Sequence, residues 1–209
     1  MKNHFLTAID DALQQILRGV TTDSIEFEEV ALNEASGRVI AETIEAGINV
    51  PGYDNSAMDG FAVNTDFVKN AGIILPISQV IPAGINGTKI ASGTAARIFT
   101  GAPIPLGANA VILQEDTEYD DKKVKVMQAP HAKQNIRLCG HDIQQGDVIL
   151  EQGHKLLPQD VGLLASLGML NVKVYKSLRI AILNTGDELV VPGEKLKSGQ
   201  IYESNSYTL

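Results

Sequence analysis

The run from Val50 to Val63 constrains the fold more than any other part of the chain. Pro51 and Gly52 at its start favour a turn, and Gly60 interrupts it before a short apolar run. The polar side chains in between are two carboxylates, an amide and a hydroxyl, carried by Asp54, Asp59, Asn55 and Ser56. The run therefore predicts a polar loop pinned to the core, which suits a functional site. The same residues also fit a purely structural turn in which Asp59 accepts backbone N–H bonds.

Composition predicts a folded protein of one or two domains. Of 209 residues, 44% are hydrophobic and 20% are charged, which is enough apolar material for a sizeable core. The net charge is −8, and the sequence contains no long block of like charges, so we expect no nucleic-acid partner. No segment approaches the about 18 apolar residues of a membrane span, and the N-terminus lacks a signal-peptide pattern. We therefore expect a cytoplasmic protein without a membrane partner.

Cysteine and histidine usage offers no obvious metal cluster. Cys139 is the single cysteine, which excludes an internal disulfide and a cysteine cluster. We expect Cys139 to be a small buried residue, with a reactive thiol as the alternative. His131, His141 and His154 are scattered along the chain and fit surface positions better than a metal site.

The N-terminal part begins with an amphipathic pattern. Apolar residues recur at three- and four-residue steps and predict a helix from about residue 4 to 18, packed against a downstream part of the chain. Alternation around residues 25–29 predicts a short strand, and residues 39–50 are predicted to lead as a strand into the polar loop.

The middle and the C-terminal part are rich in short apolar runs. Runs between residues 73 and 126 predict a small barrel or sandwich, with a hairpin tip at 120–122. Further on, we predict a strand at 148–150, a helix that Pro158 opens and Gly168 ends, and a strand near 172–175. The apolar run 178–183 predicts a buried strand of a parallel sheet, leading into an acidic turn.

Two further loops carry candidate site residues. Thr100 ends a predicted strand, before a stiff loop that contains two prolines and two glycines; its hydroxyl either binds substrate or caps the backbone. Arg137 and Asp142 flank Gly140, and they fit either a structural ion pair or an anion grip that Asp142 orients.

Four stretches resemble, in the same order, sequences typical of the MoeA family of molybdopterin molybdenumtransferases. They are the polar loop 50–63, residues 100–103, Arg137 with Gly140 and Asp142, and residues 185–189 with 199–205. The resemblance implies a mixed α/β (α+β) fold in an elongated multidomain arrangement, cut from the N-terminal part of a longer protein. It implies a discontinuous linker domain at 1–49 and 141–176, an inserted β-rich, barrel-like domain at 50–140, and the start of a parallel α/β molybdopterin-binding domain at 177–209.

The resemblance also implies an activity in molybdenum cofactor biosynthesis. Family members insert molybdate into adenylylated molybdopterin with Mg²⁺-dependent release of AMP, and they work as homodimers whose site lies between subunits. The molybdopterin adenylyltransferase is a further candidate partner. By itself the present chain is expected to be inactive, since the resemblance places further binding residues beyond it.

The resemblance assigns roles to residues of this chain. The expected catalytic residues are Asp59, Glu188, Asp142 and Thr100, and Mg²⁺ is expected on Asp59 and Glu188. The expected substrate-binding residues are Ser56, Met58, Gly60, Gly101, Arg137, Asp187 and Asn205. His141 and Glu203 depart from the family pattern. Many relatives have an acidic residue in place of His141, and an Asp is usual in place of Glu203.

Two other functions fit the residues. The chain can be a non-catalytic dimerisation or scaffolding module, which would be indifferent to Asp59→Asn. It can also be a hydrolase that uses Asp59 and Glu188 as an acid/base pair, which requires the two carboxyls of one chain to lie within roughly 10 Å.

Overall fold

The computed structural model describes residues 7–20 and 25–209 and divides into two units. The terminal unit comprises Met1–Glu28 and Tyr175–Leu209, and the central unit comprises Glu29–Val174. Both strands and helices are present, so the predicted mixed α/β class is confirmed. Residues 4–6 of the predicted first helix lie outside the described residues.

The α-helices of the described residues are α1 (Ile9–Gly19), α2 (Pro158–Ser166) and α3 (Asn205–Thr208). The strands are β1 (Phe27–Ala31), β2 (Ile44–Glu45), β3 (Asn55–Ser56), β4 (Gly60–Val63), β5 (Ile74–Ile81), β6 (Ala95–Ile98), β7 (Ala110–Leu113), β8 (Thr117–Tyr119), β9 (Lys123–Val126), β10 (Ile136–Arg137), β11 (Val148–Leu150), β12 (Asn171–Tyr175), β13 (Leu189–Val190) and β14 (Ile201–Tyr202).

The predicted barrel-like region forms one six-stranded sheet in the order β7-β4-β6-β5-β9-β8. Its pairs are antiparallel except for β5 and β6, which run parallel across the loop that joins them. Strand β4 pairs with β7 on one side and β6 on the other, so it lies inside the sheet. The start of β4, where the polar loop ends, is therefore held from both sides.

Both faces of β4 are covered, which explains its uninterrupted apolar sequence. Phe61 and Val63 point into one buried cluster with residues of β7 and β9, whereas Ala62 points into a second cluster with residues of β6 and Ile81. All four residues of β4 are buried. Because successive side chains alternate between faces, a strand covered on both faces needs apolar residues throughout.

A separate core joins the segments that precede and follow the sheet. Leu32, Ile40, Leu164 and Val174 are buried together in this cluster, although they are far apart in sequence. Helix α2 begins at Pro158, and Gly168 beyond its end has a φ of +79°, as the sequence predicts. The predicted strand over residues 39–50 is mostly irregular, since only Ile44–Glu45 forms a strand and Val39, Ile40 and Val50 make isolated bridges.

The terminal unit differs from two predictions. Helix α1 has no buried residue, so the prediction that it packs against the downstream chain is wrong for the part that the structure describes. Residues 178–183 form no strand, and the side chains of Leu178, Ile180 and Leu183 are 69%, 80% and 86% exposed. A strand exists only through hydrogen bonds to a neighbour, and no described strand lies beside this run. The parallel pair in this unit is β13 with β14 instead.

Candidate active site

Gly60 lets the polar loop approach the sheet closely. A Cβ atom at this position would overlap the carbonyl oxygen of Ile112 on β7 and would lie 3.2 Å from Cγ1 of Val111. Only glycine allows this contact without a shift of the backbone. The structural role of Gly60 is to bring the start of β4 against β7.

Asp59 and Thr100 lie together, as the predicted site requires. The Asp59 Oδ1 atom accepts hydrogen bonds from the Thr100 backbone N–H and from the Thr100 hydroxyl, both at 2.8 Å. Thr100 is exposed and Asp59 is partly exposed, so the pair faces solvent. The Asp59 Oδ2 atom accepts no hydrogen bond from the described residues and is available to a ligand.

The two bonds from Thr100 favour the ionised form of Asp59. The backbone N–H bond from Thr100 is the largest cause of a lowered pKa for the Asp59 carboxyl, followed by the Thr100 hydroxyl; the positive charge of Arg97 adds to it. The site therefore presents a carboxylate, not a neutral acid, at neutral pH.

The loop that carries Ser56 and the loop that carries Gly101 support each other. The Ser56 N–H donates to Ala102 O at 2.9 Å, and the Gly101 N–H donates to Ser56 O at 2.8 Å. The Ser56 hydroxyl donates to Met58 O at 2.5 Å, and Ser56 is 1% exposed. Ser56 therefore shapes the loop from beneath, whereas the Met58 side chain, 47% exposed, stands on its surface.

Arg97 lies beside the site and is not among the site residues predicted from the sequence. Its guanidinium lies 4.8 Å from the ring centroid of Phe61 and 5.1 Å from those of Phe99 and Tyr119. It donates hydrogen bonds to Gly60 O and to the Gln114 side chain. The only signal in the sequence is a cationic residue inside the apolar strand β6, which alone is too common to single out a site.

Arg137 and Asp142 do not form the ion pair that was one of their two predicted roles. Among the described residues both side chains are exposed and neither makes a salt bridge or hydrogen bond. The backbone of Arg137 pairs with Asn55 across β10 and β3, and Asn55 is 7% exposed with a buried Oδ1 that accepts no hydrogen bond. The backbone N–H of Asp142 donates to Val50 O at 2.9 Å. Both charges thus remain available at the edge of the polar loop.

The acidic turn of the terminal unit is also exposed. Asp187 and Glu188 lie in a turn that closes with a 3.1 Å hydrogen bond from the Leu189 N–H to Gly186 O. Asn205 begins α3 and is exposed.

Glu203, which departs from the family pattern, has a local role. Its Oε1 accepts from the Asn184 side chain and from the Ser206 N–H, both at 2.9 Å. The Ser206 backbone N–H is the largest cause of a lowered pKa for the Glu203 carboxyl. A glutamate at this position therefore still ties the start of α3 to the preceding chain.

The described residues also bear on metal sites, on Cys139 and on membrane-spanning helices. Within residues 7–20 and 25–209, no group of three or more His, Cys, Asp or Glu is arranged to hold a metal ion. Cys139 is exposed, so the prediction that it is buried is wrong; its neighbours Arg137 and Leu138 are exposed too, and the whole segment lies on the surface. No helix in this part of the chain is long and apolar enough to cross a membrane.

The chain is similar to known proteins in both sequence and fold. A model of the MoeA N-terminal region (domain I and II) matches residues 7–168. The chain is 40% identical over 205 residues to the molybdopterin molybdenumtransferase of Haemophilus influenzae, covering 98% of this chain and 50% of that relative. It is 38% identical over 185 residues to molybdopterin molybdenumtransferase 2 of Mycobacterium tuberculosis, covering 86% and 46%.

A solved structure has the same fold. The crystal structure of a molybdopterin biosynthesis MoeA protein from Pyrococcus horikoshii superposes with a TM-score of 0.83 at 31% identity, over 98% of this chain and 53% of that one. The fold described above is thus the one found in about half of that protein. The chain belongs to the MoeA family, since the family model matches well over half of its residues. It spans about half the length of the curated relatives it matches.

Proposed function

We propose that this chain is the N-terminal part of a molybdopterin molybdenumtransferase, in which Asp59 and Thr100 form one side of the active site. The reaction would insert molybdate into adenylylated molybdopterin and release AMP. Two relatives that carry this enzyme name support the proposal. The observation that carries it in this chain is the Asp59 carboxylate, which Thr100 holds in one orientation at the surface, while its second oxygen accepts no hydrogen bond from the described residues.

The donor set at Asp59 fits Mg²⁺ when substrate phosphates complete the coordination. Mg²⁺ sites in nucleotide enzymes use one or two carboxylates together with waters and phosphate oxygens, so a single protein carboxylate suffices on one side. The Asp59 Oδ2 atom would hold the ion, and Glu188 from the second copy in a homodimer is proposed as the second carboxylate. When bound, Mg²⁺ would neutralise charge on the phosphates of the substrate.

The chain's own residues have three proposed tasks. Thr100 keeps the Asp59 carboxylate ionised and oriented through its two hydrogen bonds. Arg137, whose side chain pairs with no described residue, offers a cation for an anionic group of the substrate, and Asp142 orients that group or Arg137 itself. Met58 and Gly101 contribute the surface of the loops on which the ligand would lie, and Asp187 and Asn205 are proposed to contact it from the second copy in the homodimer.

The test is AMP release from adenylylated molybdopterin in the presence of molybdate and Mg²⁺. It compares the 209-residue chain with a protein extended by the C-terminal half that the relatives have. We expect turnover only from the extended protein, and a loss of about 100-fold or more in kcat for its Asp59→Asn variant, since a preorganised charge acts mainly in the transition state.

The matched control is Asp121→Asn at the hairpin tip between β8 and β9, an exposed carboxylate that is not among the proposed site residues. This control should leave kcat unchanged. Full turnover by the 209-residue chain would contradict the proposal that this chain is inactive without the C-terminal half. Equal turnover in Asp59→Asn and wild type would contradict the proposed site.

A second candidate function, a dimerisation or scaffolding module, has one observation in its favour. The apolar residues Ile9, Leu13, Ile16 and Leu17 of α1 are each more than half exposed, which is typical of a helix that packs against another molecule. The proposed homodimer can be tested by sedimentation: Leu13→Gln together with Leu17→Gln should shift a dimer towards monomer. A dimer that forms with unchanged affinity in this variant excludes α1 from the interface.

A further inference from the structure

Arg97 lies in a cage of three aromatic rings on the face of the sheet next to the polar loop. It is on β6, directly opposite Phe61 of β4. Phe61, Phe99 and Tyr119, called here the aromatic cage, surround its guanidinium with centroids at 4.8, 5.1 and 5.1 Å. Phe61 and Tyr119 also meet edge to face, with centroids 5.0 Å apart. Cation–π contacts of this kind stabilise a cation and restrict where it can lie.

The hydrogen bonds of Arg97 reach Gly60, the residue after Asp59, and Gln114, whose backbone N–H donates to Asp59 O. Nη1 donates to Gly60 O, the residue after Asp59, at 3.3 Å. Nη2 donates to Oε1 of Gln114 at 2.5 Å, and the Gln114 backbone N–H donates to Asp59 O at 3.2 Å. Arg97 thus connects, through two routes, to the main chain that carries the Asp59 carboxylate.

We propose that Arg97 is a positioning residue for Asp59: it fixes the Asp59 main chain through Gly60 and Gln114, and thereby aligns the Asp59 carboxylate with Thr100. The catalytic consequence of this role rests on the proposed function. The planar guanidinium can stack on aromatic rings and donate in two directions at once, which an ammonium group cannot do equally well.

Packing alone offers a competing explanation for Arg97. A half-buried arginine also fills space with its aliphatic stem, and its loss can destabilise a sheet without any effect on a site. The two explanations differ in what happens at Thr100. If Arg97 positions Asp59, loss of Arg97 should shift the Thr100 amide resonance by part of the shift that removal of the Asp59 charge causes. If Arg97 only packs, the Thr100 amide resonance should not shift in a folded Arg97 variant.

The first experiment observes Thr100 directly in the 209-residue chain by NMR. The Thr100 amide donates to the Asp59 carboxylate, so its proton resonance is expected to move when that carboxylate is lost in Asp59→Asn. Arg97→Gln should move the resonance in the same direction, and Arg97→Lys should move it less. The control Lys125→Gln removes a cation of the same sheet that pairs with Glu118, and it should leave Thr100 in place.

The second experiment measures turnover in the extended protein. Arg97→Gln should lower kcat about 10-fold with little change in KM, because a displaced catalytic group costs rate more than binding. Arg97→Lys should recover part of the loss. In an Asp59→Asn background, Arg97→Gln should have no further effect, since residues that act through one group are not additive.

The outcomes separate this inference from the proposed function. An unmoved Thr100 resonance in folded Arg97→Gln overturns the positioning role, and so does a kcat loss that adds fully to that of Asp59→Asn. A moved resonance with normal turnover in both Arg97→Gln and Asp59→Asn supports the positioning role and refutes the proposed function.

A second variant guards against misfolding of Arg97→Gln. Gln114→Met removes the side-chain acceptor of Arg97 but keeps the Gln114 backbone N–H that donates to Asp59. The Thr100 resonance should move in this variant as well, and an unmoved resonance overturns the proposal even if Arg97→Gln does not fold.

Discussion

Replacing Gly60 by alanine is the sharpest stability test of the described sheet. The added methyl group would overlap Ile112 O and would lie 2.9 Å from the Ile112 carbonyl carbon. The obstacle is main chain, not the end of a flexible side chain. Strand β7 is also fixed by its register with β4, in which Gly60 lies opposite Leu113 and Phe61 opposite Ile112.

The expected loss follows from these contacts. Overpacking a rigid core costs about 1–3 kcal/mol, and separating β4 from β7 weakens backbone hydrogen bonds worth about 0.5–1.5 kcal/mol each. We expect Gly60→Ala to lower the free energy of unfolding by about 3 kcal/mol in total. With a urea slope of about 2 kcal/mol per M, the unfolding midpoint should fall by about 1.5 M.

Gly162 provides a control with the same chemical change and the opposite expected sign. It lies inside α2, is exposed, and has open space where a Cβ would be. Alanine favours a helix interior over glycine by about 0.5–1 kcal/mol, so Gly162→Ala should raise the midpoint. Urea unfolding followed by far-UV circular dichroism measures both. A Gly60→Ala midpoint equal to that of wild type would refute the close approach of β4 and β7.

Three further predictions concern other parts of the chain. The hydrogen bond from His154 is the main cause of a lowered pKa for the Asp160 carboxyl. The stabilisation from this bond is fully present above the unfolded pKa of about 3.9 and is lost as the pH falls through the lower pKa of the folded state. Asp160→Asn should therefore flatten the fall of stability in acid, as urea midpoints at several pH values will show; an unchanged slope contradicts it. Leu164→Ala should cost about 2–5 kcal/mol in urea unfolding because Leu164 is fully buried, whereas Leu170→Ala, at a 78% exposed position, should cost under about 0.5 kcal/mol. A thiol reagent should label Cys139 in the native protein because it is exposed, and protection until urea is added would contradict this placement.

Local signals predicted the elements whose ends are set by one or two residues. Helix α2 lies between Pro158 and Gly168, and both act within the backbone of the helix itself. The hairpin tip is equally local, since Asp120 Oδ1 accepts from the N–H groups of Lys122 and Lys123 at 2.8 and 3.0 Å. Such features need no knowledge of the rest of the fold.

Features that depend on distant partners were not predicted. The run 178–183 has the composition of a buried strand, but composition supplies no neighbouring strand, and the described chain offers none beside it. Arg97 is part of the site only because Phe61, Phe99 and Tyr119 are brought around it by sheet pairing. Cys139 was predicted to be buried because cysteine usually is. That general tendency does not reveal that the segment around Cys139 is exposed.

Sheet register explains why Asp59 and Thr100 meet. Strands β4 and β6 are antiparallel neighbours with Gly60 opposite Ile98, so the residue before β4 and the loop after β6 lie at the same end of the sheet. A slip of one residue in this pairing would turn every side chain of β4 to the other face and exchange its two apolar clusters. Those clusters are different in size, with Phe61 in one and Ala62 in the other, and this difference opposes the slip. The core packing of β4 therefore fixes the position of a carboxylate that itself contributes nothing to the core.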